Sequence, residues 1–179
     1  MKNYLYASLG LVAMSLSINS YSLEIRPVGD NDIFDPGFEA SRSTVCLDYI
    51  GAERNNDDLG IRSCIIDKPS QEWFIDRLFN SSYTISNGEG GCLDDLYSSN
   101  YVGVWNECHN KSNQRWYFRK VRTANVYTTV YIIESAEGNC LDLGSNGKLY
   151  AWKCHGKANQ QWLVTDGGYS VDLSSGMTW

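Results

Sequence analysis

Residues 140–162 read CLDLGSNGKLYAWKCHGKANQQW: Cys140-Leu141-Asp142, a turn signal at Asn146-Gly147, a second cysteine at Cys154, then Gln160-Gln161-Trp162. The same order occurs twice upstream. Cys46-Leu47-Asp48 precedes Cys64 and Gln71-Glu72-Trp73, and Cys92-Leu93-Asp94 precedes Cys108 and Gln114-Arg115-Trp116. The triplets start 46 and 48 residues apart, and second cysteine to glutamine spans seven residues in the first copy and six in the others. Self-similarity at a fixed period of this size marks a repeat architecture.

Each copy has strand character. Val126 to Ile133 is β-branched and aromatic, as strands prefer. Asn146-Gly147 between Leu141-Asp142-Leu143 and Leu149-Tyr150-Ala151-Trp152 predicts a type I′ hairpin, and Asn87-Gly88 and Gly167-Gly168 are further turn candidates. The chain has only three prolines, none within these apolar runs. Short strands with regular turns predict an all-β barrel or sandwich. Three copies of about 46 residues fit three four-stranded units around a pseudo-threefold axis, whereas a propeller needs at least four blades. Residues 39–173 hold the three copies. Residues 23–38, with Pro27, Pro36 and three aspartates, are expected to form an arm outside the core, and residues 174–179 a tail.

In each copy the two cysteines flank a hairpin, which predicts the pairs Cys46–Cys64, Cys92–Cys108 and Cys140–Cys154, since adjacent hairpin strands bring Cα atoms within bonding range. Zinc is the competing reading, because His109 follows Cys108 and His155 follows Cys154. Neighbouring strand residues point to opposite faces, which argues against a shared metal. An exported chain favours disulfides. Export is expected from residues 1–22: Lys2 supplies a positive start, Tyr4 to Ile18 an apolar stretch, and Ser20-Tyr21-Ser22 a small-x-small cleavage site. That stretch is too short and serine-rich to span a membrane.

The 179 residues suggest one domain, and the net charge of −6 without a basic patch argues against nucleic acid and anionic lipid as partners. No serine–histidine–acid constellation or HExxH motif occurs. The three repeated aspartates should lie in separate places rather than face each other across one bond, as a glycosidase requires. The chain is therefore expected not to be an enzyme.

Cys-Leu-Asp, a hairpin, a second cysteine and Gln-x-Trp, three times over, resembles the ricin B-type lectin family across residues 39–173. The resemblance implies a β-trefoil with one potential sugar pocket per repeat, and no cofactor or metal. In such a pocket the aspartate accepts hydrogen bonds from two neighbouring hydroxyls. An aromatic ring before the second cysteine offers an apolar platform to the sugar's C–H face, and amides before the tryptophan orient the ligand. Trp73, Trp116 and Trp162 belong to the core. The third repeat matches fully, with Asp142, Trp152, Asn159 and Gln160. The second has Asp94, Asn113 and Gln114, but Trp105 lies three residues before Cys108 rather than two. That offset turns a strand side chain to the opposite face unless a bulge absorbs it. Tyr101 is the alternative platform there. The first keeps Asp48 and Gln71, but Arg62 replaces the aromatic and Ser70 the asparagine. The repeats rank third, second, first, and His109 and His155 are read as incidental.

The resemblance thus implies a secreted lectin for galactose- or N-acetylgalactosamine-type glycans. The competing reading is the cell-binding subunit of a multi-component toxin or adhesin acting through a separate protein partner, with residues 23–39 and 174–179 as docking segments.

Overall fold

The structure is a computed structural model that describes residues 22–28, 44–51, 59–96, 100–125, 128–166 and 169–173. Twelve strands fall into three sets of four. The first repeat contributes β1 (Glu24–Pro27), β2 (Val45–Tyr49), β3 (Leu59–Ser63) and β4 (Trp73–Arg77). The second contributes β5 (Tyr83–Asn87), β6 (Cys92–Leu96), β7 (Tyr101–Trp105) and β8 (Trp116–Asn125). The third contributes β9 (Thr128–Ser135), β10 (Asn139–Leu143), β11 (Leu149–Lys153) and β12 (Trp162–Asp166). A short β13 (Tyr169–Ser170) follows on the edge of β12.

The outer strands of each set close a six-stranded ring. β1 pairs β12, β12 pairs β9, β9 pairs β8, β8 meets β5 at Tyr83 and Trp116, and β5 pairs β4. Leu23 and Trp73 then exchange two backbone hydrogen bonds of 2.8 Å, joining β4 back to β1. Closure leaves the ring no free edge. The inner strands pair as hairpins β2–β3, β6–β7 and β10–β11. This is the β-trefoil expected from the repeats.

Each element of the motif has a place in this frame. Leu47, Leu93 and Leu141 point inward and are fully buried. Trp73, Trp116 and Trp162 fill the centre, also fully buried. Their indole N–H groups donate to the carbonyls of Leu47, Leu93 and Leu141 at 3.1, 2.9 and 2.9 Å. A buried indole needs such an acceptor. Gln-x-Trp therefore ties back to Cys-Leu-Asp within its own repeat. The three expected disulfides form, with Cα–Cα distances of 5.0, 5.3 and 5.0 Å.

Two expectations change. Residues 23–28 are not an arm: β1 is a barrel strand, with Ile25 fully buried and Leu23 and Val28 nearly so. Without it the ring would have five strands. The Asn146-Gly147 turn is not type I′, because only Gly147 has a positive φ, +77°. The Gly147 N–H donates to the Gly144 carbonyl and the Gly144 N–H to the Lys148 carbonyl, each at 2.9 Å, making a three-residue loop with its glycine in the left-handed region. The export segment up to residue 21, the rest of the expected arm and the tail 174–179 lie outside the described residues, as do Val126-Tyr127 and Gly167-Gly168.

Candidate functional site

Alternation along β10 sends Leu141 to the core and Asp142 to the outer face. Opposite it, Asp142 pairs with Tyr150 and Cys140 with Trp152, so Tyr150 and Trp152 stand on the same outer face. The 3-10 turn Ala158–Gln160 brings amides underneath. Asn159 Nδ2 donates to Asp142 Oδ1 and Gln160 Nε2 to Oδ2, both at 2.7 Å. Gln160 is locked in turn: Nε2 also donates to the Lys153 carbonyl at 3.1 Å, and Oε1 accepts from the His155 N–H at 2.8 Å. A carboxylate has about four lone-pair positions, so these amides leave acceptor capacity toward solvent.

Asp142, Tyr150, Trp152, His155 and Asn159 line an open cleft of about 290 Å³, at the small end of the ~300–1,000 Å³ range for small-molecule sites. Trp152 is 50% exposed above it, although a large apolar ring gains by burial. His155 contributes more than its sequence position suggested. Its Nδ1 accepts the Lys157 N–H at 3.2 Å, which puts the imidazole proton on Nε2, 3.3 Å from Asp142 Oδ2. The third repeat thus brings together all four predicted residues, Asp142, Trp152, Asn159 and Gln160. It adds His155 and Tyr150, which sequence reasoning did not assign.

The second repeat reproduces the frame. Asn113 Nδ2 reaches Asp94 Oδ1 at 2.7 Å and Gln114 Nε2 reaches Oδ2 at 2.9 Å. Cys92 pairs with Trp105 as Cys140 does with Trp152, so Trp105 keeps the platform position, 41% exposed. The additional residue is taken up after the strand, in the Asn106–Glu107 bend, and no side chain is flipped. Tyr101, the alternative platform, shares that hairpin face through its pairing with Leu96. It packs on Tyr150 of the next repeat, ring centroids 5.2 Å apart.

The first repeat is filled by its own side chains. Ser70 Oγ donates to Asp48 Oδ1 at 2.7 Å, Gln71 Nε2 to Oδ2 at 3.0 Å, and Lys68 Nζ to Oδ2 at 2.6 Å. The Asp48 side chain is 1% exposed, against 9% for Asp142. Burial alone would raise the Asp48 pKa, but hydrogen bonds from Lys68, Ser70 and Gln71, with the Lys68 charge, outweigh it and hold the carboxyl below its ordinary value. Arg62 stands opposite Cys46 in the platform position, and Ile65 takes the place of His155, its N–H bonded to Gln71 Oε1 at 2.8 Å. The lysine plug was hidden in the sequence, since Lys111 and Lys157 begin the corresponding turns.

The hairpins differ in one further respect. Gly60 and Gly103 lie opposite Asp48 and Asp94, where the third repeat has Tyr150. A Cβ on Gly60 would come 2.7 Å from Ile50 Cδ1, and one on Gly103 3.0 Å from Leu96 Cδ1. Two residues after Asp142 the order reverses: Gly144 replaces Ile50 or Leu96, and a Cβ there would come 2.5 Å from Tyr150 Cε2.

The comparisons agree with this architecture. A designed threefold-symmetric protein, ThreeFoil, matches with a TM-score of 0.58 and 16% identity, over 81% of this chain and 98% of that one. The Polyporus squamosus lectin bound to Neu5Acα2-6Galβ1-4GlcNAc matches at 0.59 and 18% identity, over 84% of this chain and 50% of that one. A mosquitocidal holotoxin matches at 0.61 and 16% identity, over 80% of this chain but only 16% of the toxin chain. No curated protein sequence matches. Residues 38–162, most of the chain and all three motifs, match the ricin-type β-trefoil lectin domain. The chain belongs to that family.

Proposed function

We propose that the protein is a secreted lectin that binds galactose- or N-acetylgalactosamine-type glycans, through the third repeat foremost and the second in support. The observation that carries the reading is Asp142, held by Asn159 and Gln160 beneath a half-exposed Trp152. That set offers a charged acceptor to a pair of neighbouring hydroxyls and a ring to the sugar's apolar face. The Polyporus squamosus lectin, which shares the fold, is described with a galactose-containing glycan bound. Three disulfides suit an oxidising compartment. Among the described residues no helix is long and apolar enough to cross a membrane. Asp48, Asp94 and Asp142 occupy separate repeats, which supports binding without catalysis. A glycan array probed with the chain from residue 23 tests the reading: terminal galactose or N-acetylgalactosamine structures should dominate. An array that returns only other sugars would overturn the assigned specificity.

A second reading, the cell-binding subunit of a multi-component toxin or adhesin, is favoured by apolar side chains away from the cleft. Ile66 is 87% exposed and Phe79 fully so. Similarity of fold to part of a mosquitocidal holotoxin supports it. The genomic neighbourhood tests it: an adjacent exported toxin-like gene whose product co-purifies with this chain would separate a subunit from a lectin acting alone.

A further inference from the structure

The exchange of glycine and bulk across the hairpins gives the third pocket a wall that the others lack. Tyr150 and Trp152 lie two residues apart on one face of β11, so their rings are attached about 7 Å apart along the strand. The Tyr150 hydroxyl accepts from Asn146 Nδ2 at 2.9 Å and keeps its own proton to donate. Tyr101 backs the ring from the neighbouring repeat at 5.2 Å, and Gly144 leaves the space it occupies. The side chain is therefore braced from two sides while still lining the cleft.

We infer that Tyr150 forms a second subsite, so that the third repeat recognises a disaccharide, with Trp152 and Asp142 holding the terminal ring and Tyr150 the ring linked to it. The inference rests on the lectin reading above. The second repeat, with Gly103 and Leu96 in place of the tyrosine wall, takes a terminal sugar alone.

Titration calorimetry with methyl β-galactoside and lactose, in an Asp94→Asn background that isolates the third site, tests this. Lactose should bind roughly three- to tenfold tighter than the monosaccharide, the gain from one ring contact. The double variant Gly144→Leu/Tyr150→Gly, which installs the second repeat's arrangement, should lose the preference, its lactose-to-monosaccharide affinity ratio falling to about one. Saturation-transfer NMR on the unaltered protein needs no variant to fold: protons of the glucose ring should receive saturation along with those of galactose. Equal affinities, or saturation confined to galactose, would overturn the second subsite while leaving the lectin intact. If neither sugar binds, the galactose specificity proposed above falls and the subsite with it.

Discussion

Asp48 and Asp142 occupy the same place in their repeats and have different surroundings. Asp142 faces a cleft, so its substitution should be read in binding. Trp152→Ala is the cleaner variant, because the ring is half exposed at a hairpin and supports little core. Its thermal midpoint should stay near that of the unaltered protein while calorimetric binding falls below detection, starting from a weak monosaccharide Kd of about 0.1–1 mM, near −5 kcal/mol. Asp142→Asn should remove about 1.5–3 kcal/mol of binding but also cost stability, since a new amide would face the Asn159 and Gln160 donors. Asp48→Asn should leave sugar affinity unchanged and lower stability by about 1–3 kcal/mol, leaving Lys68 without its acceptor. The pH dependence has a definite sign. The folded-state pKa of Asp48 lies below its ordinary value of 3.8, so its contribution is complete above that value and is lost as pH falls through the folded-state one. Melts across the acid range should show a shallower decline for Asp48→Asn. A loss of sugar binding in that variant would mean that the first repeat is a working site.

At the scale of elements, the motif residues were legible because they recur, and recurrence reports packing that all three repeats share. β1 was not legible, since Leu23 to Val28 carries no part of the motif and contains Pro27, which suggested an arm. Its place shows only in partners far along the chain, Trp73 and the residues of β12. Trp105 was ambiguous for a related reason: spacing to Cys108 counts residues but does not say whether an extra one lies in the strand or after it. The plug at Asp48 was hidden because a lysine begins the same turn in every repeat, and only beside Ser70 and Ile65 does it reach the carboxylate. A chain beginning after Val28 should therefore fail to fold, although it keeps all three motifs, both cysteines of each pair and the full family match. Circular dichroism and proteolysis of that truncation decide the matter. A native-like, protease-resistant product would mean that the six-stranded ring is not required.

Across the whole molecule, the three repeats are equal in frame and unequal in surface. The frame should depend on the disulfides, each closing a loop of 14 to 18 residues and contributing about 3 kcal/mol on the chain-entropy model. Reduction removes all three together, and the thermal midpoint should fall steeply. A midpoint insensitive to reductant would place the stability in the Trp73, Trp116 and Trp162 core alone. Binding, by contrast, should be indifferent to chelators, because the cleft offers hydrogen bonds and rings rather than an ion bridging two hydroxyls. Loss of glycan binding in a chelator, with the fold intact, would contradict the assigned pocket.

The opposed glycines also bear on history. If the repeats descend from one duplicated segment, a hairpin with an aliphatic residue after its aspartate gains the tyrosine only by displacing that side chain, because a Cβ on Gly60 or Gly103 already meets Ile50 Cδ1 or Leu96 Cδ1. Losing the aliphatic side chain first opens that space without a clash, through a hairpin with glycine on both strands. Such a hairpin has the least side-chain packing and the most backbone freedom of the three arrangements. On that route the third repeat passes through its least stable form, tolerable only while the other two repeats and the disulfides hold the barrel.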